Sequence, residues 1–163
     1  MNIRLRTPTD QPQLERVNTE NLFINGSMLK SREAINKSDC VIVAEINSVI
    51  VAYLALTYGN TAFTEFDKLW TKRPEEIEGV YVEQIATLKN FQGKGIGTKL
   101  IEYAKQNCMK GYKTMFTHVG IINVGSFKLH CKNGFYPIGD FICDDFYGAK
   151  NYRSILLECD IKS

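Results

Sequence analysis

Gln92-Gly93-Lys94-Gly95-Ile96-Gly97 runs without a break into Thr98-Lys99-Leu100-Ile101-Glu102-Tyr103-Ala104. An apolar stretch over residues 80–88 precedes it, and apolar side chains at helical spacing follow it. The reading is strand, glycine loop, amphipathic helix. Glycines at alternate positions let the backbone turn sharply and leave its N–H groups unobstructed. The first four N–H groups of a helix lack internal partners, and the helix dipole places partial positive charge there. Such a start is an anion site, above all for phosphate.

Outward from this stretch, the chain reads as one mixed α/β domain over residues 1–163. Residues 2–6 alternate Ile3 and Leu5 with polar neighbours, as a short strand does. Thr7-Pro8-Thr9-Asp10 breaks it, and Thr9 or Asp10 can cap a helix with Leu14 and Val17 on one face. Asn25-Gly26-Ser27 ends that helix, and Ser27 opens a weaker one through Met28, Leu29 and Ile35. Residues 40–46, the turn Asn47-Ser48 and residues 49–58 form a hairpin whose second strand is apolar enough for cover on both faces. Residues 59–79 are irregular and charged, with Phe63, Phe66 and Trp70 suggesting a short helix over 64–71. Beyond the glycine loop, a helix spans about 97–109, with Leu100, Ile101, Ala104 and Cys108 on one side and Gly111 as its stop. Then come a strand at 113–118, a helix at 123–133 stopped by Gly134, and closing strands at 135–142 and 152–159 around a polar loop, 144–151.

Bulk properties narrow the function classes. A chain of 163 residues with 44% apolar and 23% charged content is an ordinary globular domain. A net charge of +2, with scattered basic residues, points away from nucleic acid and membrane surfaces. The five cysteines, Cys40, Cys108, Cys131, Cys143 and Cys159, form no C-x-x-C pair or Cys/His cluster, so no metal site is expected. They read as reduced, mostly buried thiols in a cytoplasmic protein. The start has no signal-peptide apolar region, and no apolar run reaches membrane-spanning length.

Two nucleotide motifs fail on this loop. A Walker loop needs glycine four residues before a Gly-Lys pair that Ser or Thr follows, but Leu88 and Gly95 stand there. The dinucleotide fingerprint needs glycine or alanine at Thr98 and an acidic residue about 20 positions on. What fits is Q/R-x-x-G-x-G/A, at Gln92, Gly95 and Gly97. A second segment, Asn123-Val124-Gly125-Ser126-Phe127-Lys128-Leu129-His130-Cys131-Lys132-Asn133-Gly134-Phe135, fits N-x-x-[SA]-x-x-[FL]-Y-x-[KR]-x-G-F except at His130. These segments, at this spacing and in this order of elements, resemble the GNAT acetyltransferase superfamily.

The resemblance implies a central mixed, mostly antiparallel sheet of about seven strands flanked by about four helices, with two strands splayed at an acetyl-CoA cleft. It implies that the N–H groups of Gly93, Lys94, Gly95, Ile96, Gly97 and Thr98, with Gln92, hold the CoA pyrophosphate. Ile85, Ala86 and Thr87 would pair with the pantetheine amides. Asn123 and Ser126 would line the far side of the co-substrate, and Lys132 would approach a phosphate.

Acetyl transfer to an amine requires an acceptor freed of its proton, since a primary ammonium has a pKa of about 10.4. Glu83, inside an apolar strand, is the candidate base; regular alternation puts it on the face of Tyr81, Ile85 and Thr87, with Gln84 opposite. The alternative is a carboxylate paired with a buried cation or backbone donor. N–H groups near Ala86 and Thr87 are candidate donors to the oxyanion. The family usually has tyrosine as acid where this chain has His130. That histidine either protonates the leaving thiolate, or hydrogen-bonds its sulfur, or leaves the acid to water or to Tyr136 or Tyr147. Cys131 reads as core, and His118 as structural. The acidic residues of 59–79, with Asp144 and Asp145, would favour a cationic acceptor.

The expectation is an N-acetyltransferase that moves acetyl from acetyl-CoA to a primary amine of a small molecule or protein by direct attack. The alternatives are a catalytically silent acyl-CoA sensor, and transfer of a longer acyl group or to an alcohol. No nucleic-acid or membrane partner is expected, and a homodimer is left open.

Overall fold

The computed structural model describes residues 1–21, 35–59, 78–143 and 152–161, and side chains throughout these except at 141, 143 and 152. The readings of residues 27–34, of the charged segment 60–77 and of the loop 144–151 therefore lie outside the described residues. The strands are β1 (Asn2–Leu5), β2 (Cys40–Ile46), β3 (Val49–Tyr58), β4 (Val80–Thr87), β5 (Thr114–Gly120), β6 (Tyr136–Cys143) and β7 (Tyr152–Asp160). The helices are α1 (Gln11–Glu20), α2 (Ile96–Asn107) and α3 (Val124–Lys132), and residues 35–37 are also helical. No helix among the described residues is long and apolar enough to cross a membrane.

All seven strands form one sheet, in the order β1-β2-β3-β4-β5-β7-β6. Every neighbouring pair is antiparallel except β4 and β5. The mixed, mostly antiparallel sheet expected from the sequence is the one found. β2 and β3 join through Asn47 and Ser48, whose φ angles of 50° and 63° are both left-handed. Two such residues make a turn whose twist matches that of the flanking strands.

β3 lies centrally, and its residues from Ile50 to Leu56 are buried whichever face they point to. On one face α1 supplies Leu14 and Val17, both fully buried, and the Tyr53 hydroxyl donates to Asn18 Oδ1 (3.1 Å). On the other face α2 supplies Ile96, Leu100, Ile101 and Ala104.

Several local expectations shift. β5 runs two residues beyond His118, to Gly120. α2 ends at Asn107 rather than near 109: Cys108 is its C-cap, and Lys110 and Gly111 both turn left-handed. Asp10 stands at the N-cap of α1, but its carboxylate is turned back to Thr7 N–H (2.6 Å) and to the Arg4 guanidinium (2.7 Å). Arg4 also holds Glu45 (2.7 Å), and this pairing takes the Asp10 carboxyl down to about 2. Cys131, read as core, is half-buried, and its neighbour His130 turns inward instead.

Candidate active site

The site is organised by the way β4 parts from β5. The two pair only through Val80↔Met115 and Tyr81↔Phe116. Beyond that point the Thr117 hydroxyl still donates to Val82 O (3.1 Å), and then the ladder ends. Ile85, Ala86 and Thr87 remain paired with Leu54, Tyr53 and Ala52 of β3, so one edge of this half-strand is held and the other is open. Leu88 N–H donates to Val51 O (2.8 Å). Antiparallel alternation then turns the Ala86 amide toward β3 and those of Ile85 and Thr87 toward the open edge. Of the three residues expected to meet an acyl chain through their backbone, two have amides free to do so.

The alternation expected at Glu83 does not hold. The β3–β4 register slips by one between Ala55 and Leu56: Val82 faces Leu56, Gln84 faces Ala55, and Glu83 is the extra residue. A bulge breaks the period-2 rule. Glu83 Oε1 accepts from the Thr57 hydroxyl (2.9 Å), and Thr57 lies opposite Tyr81. Gln84 reaches Asn18 Oδ1 on the α1 side (3.1 Å), whereas Ile85 lies beside Gly97 of α2. Tyr81 and Ile85 therefore sit on opposite faces, and Glu83 stays with Tyr81.

After β4 the chain makes a 3-10 turn at Lys89–Phe91 and enters the glycine loop. Gln92 ties the loop back: its Nε2 donates to Thr87 O and to Asn21 Oδ1, both at 3.0 Å. Gly93 and Gly95 have φ of 73° and 77°, and a Cβ at either would meet nothing within 4 Å. The conformation demands glycine, and the space beside it is open. Gly95 is the N-cap of α2 and offers no side chain, so the N–H groups from Gly93 to Thr98 have no acceptor among the described residues. The Lys94 ammonium lies 5.2 Å from the Phe91 ring centroid at the loop's rim. Gly97 answers to packing: a Cβ there would lie 2.9 Å from Leu129 Cδ2 and 3.6 Å from Ile85 Cδ1.

α3 closes the other side. Asn133, its C-cap, donates from Nδ2 to the Thr98 hydroxyl (3.3 Å), which brings the exposed Lys132 to the same end of the molecule as the start of α2. At the other end of α3, Asn123 Oδ1 accepts from Ser126 N–H (3.1 Å). His130 is 1% exposed, stacks edge-on against Phe135 and gives its Nδ1 proton to Ser126 O (2.8 Å). Burial pushes its pKa down, so the ring is neutral and Nε2 carries a lone pair. That Nε2 is buried with no partner.

One pair was not legible as a site in the sequence. The Tyr81 hydroxyl and His118 Nδ1 lie 2.5 Å apart, across the mouth of the opening between β4 and β5. Burial takes the His118 pKa down to about 4, so this ring too is neutral near pH 7. Only the parting of the strands just beyond Tyr81 gives the pair its place, and no local pattern announces that.

These features define an α/β protein with an open strand edge running into an uncapped, glycine-lined helix start. A model of the acetyltransferase (GNAT) family matches residues 6–135, and the chain belongs to that family. No curated protein matches it in sequence. Solved structures resemble it in fold. The smu.2055 protein of Streptococcus mutans UA159 superposes with a TM-score of 0.74 at 17% identity, covering 99% of this chain and 100% of that one. The ribosomal-protein-S18-alanine N-acetyltransferase of Escherichia coli gives 0.70 at 14%, covering 99% and 94%. A chain of the NatB acetyltransferase complex bound to CoA and MES gives 0.72 at 11%, covering 99% and 100%.

Proposed function

We propose that this protein is an N-acetyltransferase that transfers acetyl from acetyl-CoA to a primary amine of a small molecule or protein, by direct attack and without an acylated enzyme. The observation that carries this reading is the run of unpartnered N–H groups from Gly93 to Thr98, at the end of a strand whose outer edge is free. Two adjacent features suit CoA: a pyrophosphate fits an uncapped helix start, and an amide-bearing chain fits an open strand edge. Acetyl-CoA supplies an acyl group on a thiol whose pKa, about 8.5, makes it a tolerable leaving group.

The protein's own residues then have distinct tasks. The backbone from Gly93 to Thr98 and the Lys132 ammonium neutralise phosphate charge, and Gln92 holds the loop against Thr87. The Ile85 and Thr87 amides hold the acyl chain or the developing oxyanion. Glu83, set apart by the bulge and fixed by the Thr57 hydroxyl, takes the proton from the amine. His130 is poorly disposed to donate: its single proton is given to Ser126 O, and charging the ring is opposed by burial. Its Nε2 lone pair suits acceptance of a hydrogen bond, for instance from a thiol. We therefore assign the acid role to solvent rather than to His130.

That same geometry favours one second reading, an acyl-CoA-binding module without turnover. An amine panel with acetyl-CoA, read as released thiol and paired with CoA calorimetry, separates the two. Turnover with at least one amine supports the enzyme, and tight CoA binding with no thiol release supports the module. No CoA binding at all overturns both. In the enzyme, Glu83→Gln lowers kcat by about 100-fold or more and removes the acidic limb of the pH–rate profile. An unchanged rate and profile would remove Glu83 from the mechanism.

A further inference from the structure

At the far end of α2 from the glycine loop, two thiols meet. Cys40 is the first residue of β2 and lies opposite Leu56 of β3. Tyr58, two residues on, therefore shares its face of the sheet. Tyr58 stacks on Tyr112 at 6.1 Å, and the Lys110 ammonium sits 4.1 Å from the Tyr58 ring centroid. Cys108, the C-cap of α2, is 5% exposed and gives its N–H to Ala104 O (2.9 Å). The Cys40 thiol is within hydrogen-bonding reach of both the Cys108 thiol and the Tyr58 hydroxyl. Cys40 is half-buried and so reachable from solvent, whereas Cys108 is reachable chiefly through Cys40.

We propose that Cys40 and Cys108 are a redox-modification site, closing reversibly into a disulfide that ties the end of α2 to the start of β2. The oxidant is a small disulfide, RSSR. The Cys40 sulfur attacks one of its sulfurs, forming Cys40–S–S–R and releasing one RSH. The Cys108 sulfur then attacks the Cys40 sulfur, breaking the mixed disulfide and releasing a second RSH. The two cysteine protons end on the two RSH molecules, and two electrons pass from the protein to the oxidant. Burial, with Cys40 alongside, pushes the Cys108 thiol up to about 12, while the Lys110 ammonium works the other way. The second step is thus faster in mildly alkaline buffer, because the thiolate is the nucleophile. This inference is independent of the acetyltransfer reading.

The test uses the unmutated chain under native conditions with oxidised glutathione, followed by alkylation, non-reducing digestion and mass spectrometry. The expected product is a single linked peptide pair joining Cys40 to Cys108, reversed by dithiothreitol. The melting midpoint should rise by about 5–10 °C, because the closed loop is long. Cys108→Ser should leave Cys40 as a lasting glutathione adduct. Three results would overturn the proposal: both thiols staying free, Cys40 stopping at the adduct in the unmutated chain, or a link through Cys131 or Cys159. The mapping needs no variant, so a serine substitution that failed to fold would leave it standing.

Discussion

α2 and α3 begin in opposite ways. α3 starts at Asn123, whose side-chain oxygen takes the Ser126 N–H, so the helix closes its own first turn. α2 starts at Gly95, which has no side chain to offer, and its first-turn amides face open space. An uncapped helix start forfeits about 1 kcal/mol that Asn, Asp or Ser would have supplied. The contrast teaches where the chain keeps binding capacity. Asn123 and Ser126, expected beside the co-substrate, spend their polar groups on each other, whereas the loop from Gly93 to Thr98 spends almost nothing on itself.

The sharpest way to break this comparison is Gly95→Ala. A methyl group there strains a left-handed residue by roughly 1–2 kcal/mol and enters the open space beside the amides. CoA affinity should fall about 100-fold by calorimetry, with a melting midpoint lowered by only a few degrees. An unchanged affinity would mean that the loop is a structural turn.

α1 offers a third kind of start. Asp10 stands at its N-cap but is held by Arg4, so its value lies in the ion pair. Asp10→Ala should cost about 2 kcal/mol in denaturant unfolding and leave CoA affinity intact, because Arg4 and Glu45 lose their shared partner. The pH dependence has a definite sign. The Asp10 carboxyl goes from 3.8 to about 2 in the folded chain. Its contribution is therefore complete above about pH 4 and fades as the pH falls toward 2. The gap between parent and variant should close over that interval, and a gap constant down to pH 2 would rule out the ion pair as its source.

The smallest effect is expected at α3. Asn123→Ala should remove about 1 kcal/mol, or about 2–4 °C in melting midpoint. It should change CoA affinity less than about 3-fold, since the Asn123 oxygen is already engaged. A larger loss of affinity would make Asn123 a ligand residue after all.

What was legible in the sequence was whatever rests on local spacing. The glycine loop, the hairpin turn at Asn47-Ser48, the apolar faces of α1 and α2, and the stop at Gly134 all come from neighbours in the chain. The open edge of β4 and its mixed pairing came only through resemblance, because strand partners are distant in sequence. Two features escaped altogether. The bulge at Glu83 arises from a mismatch between β3 and β4, and period-2 alternation cannot anticipate it. The Tyr81–His118 contact joins residues 37 positions apart. His130 shows a third limit: its type was noted, but burial and the bond to Ser126 O, which decide what it can donate, belong to the packed helix.

The bulge also makes β4 one residue longer than the stretch of β3 it matches. Removing a single residue near position 83 would restore even pairing and rotate everything after it by half a turn. Ile85 would leave Gly97, and the Ile85 and Thr87 amides would swap places with that of Ala86. Substitution at this point changes a side chain, but deletion inverts a binding edge. The spacing between Tyr81 and the glycine loop is therefore a counted length, under a stricter constraint than the identity of any residue within it.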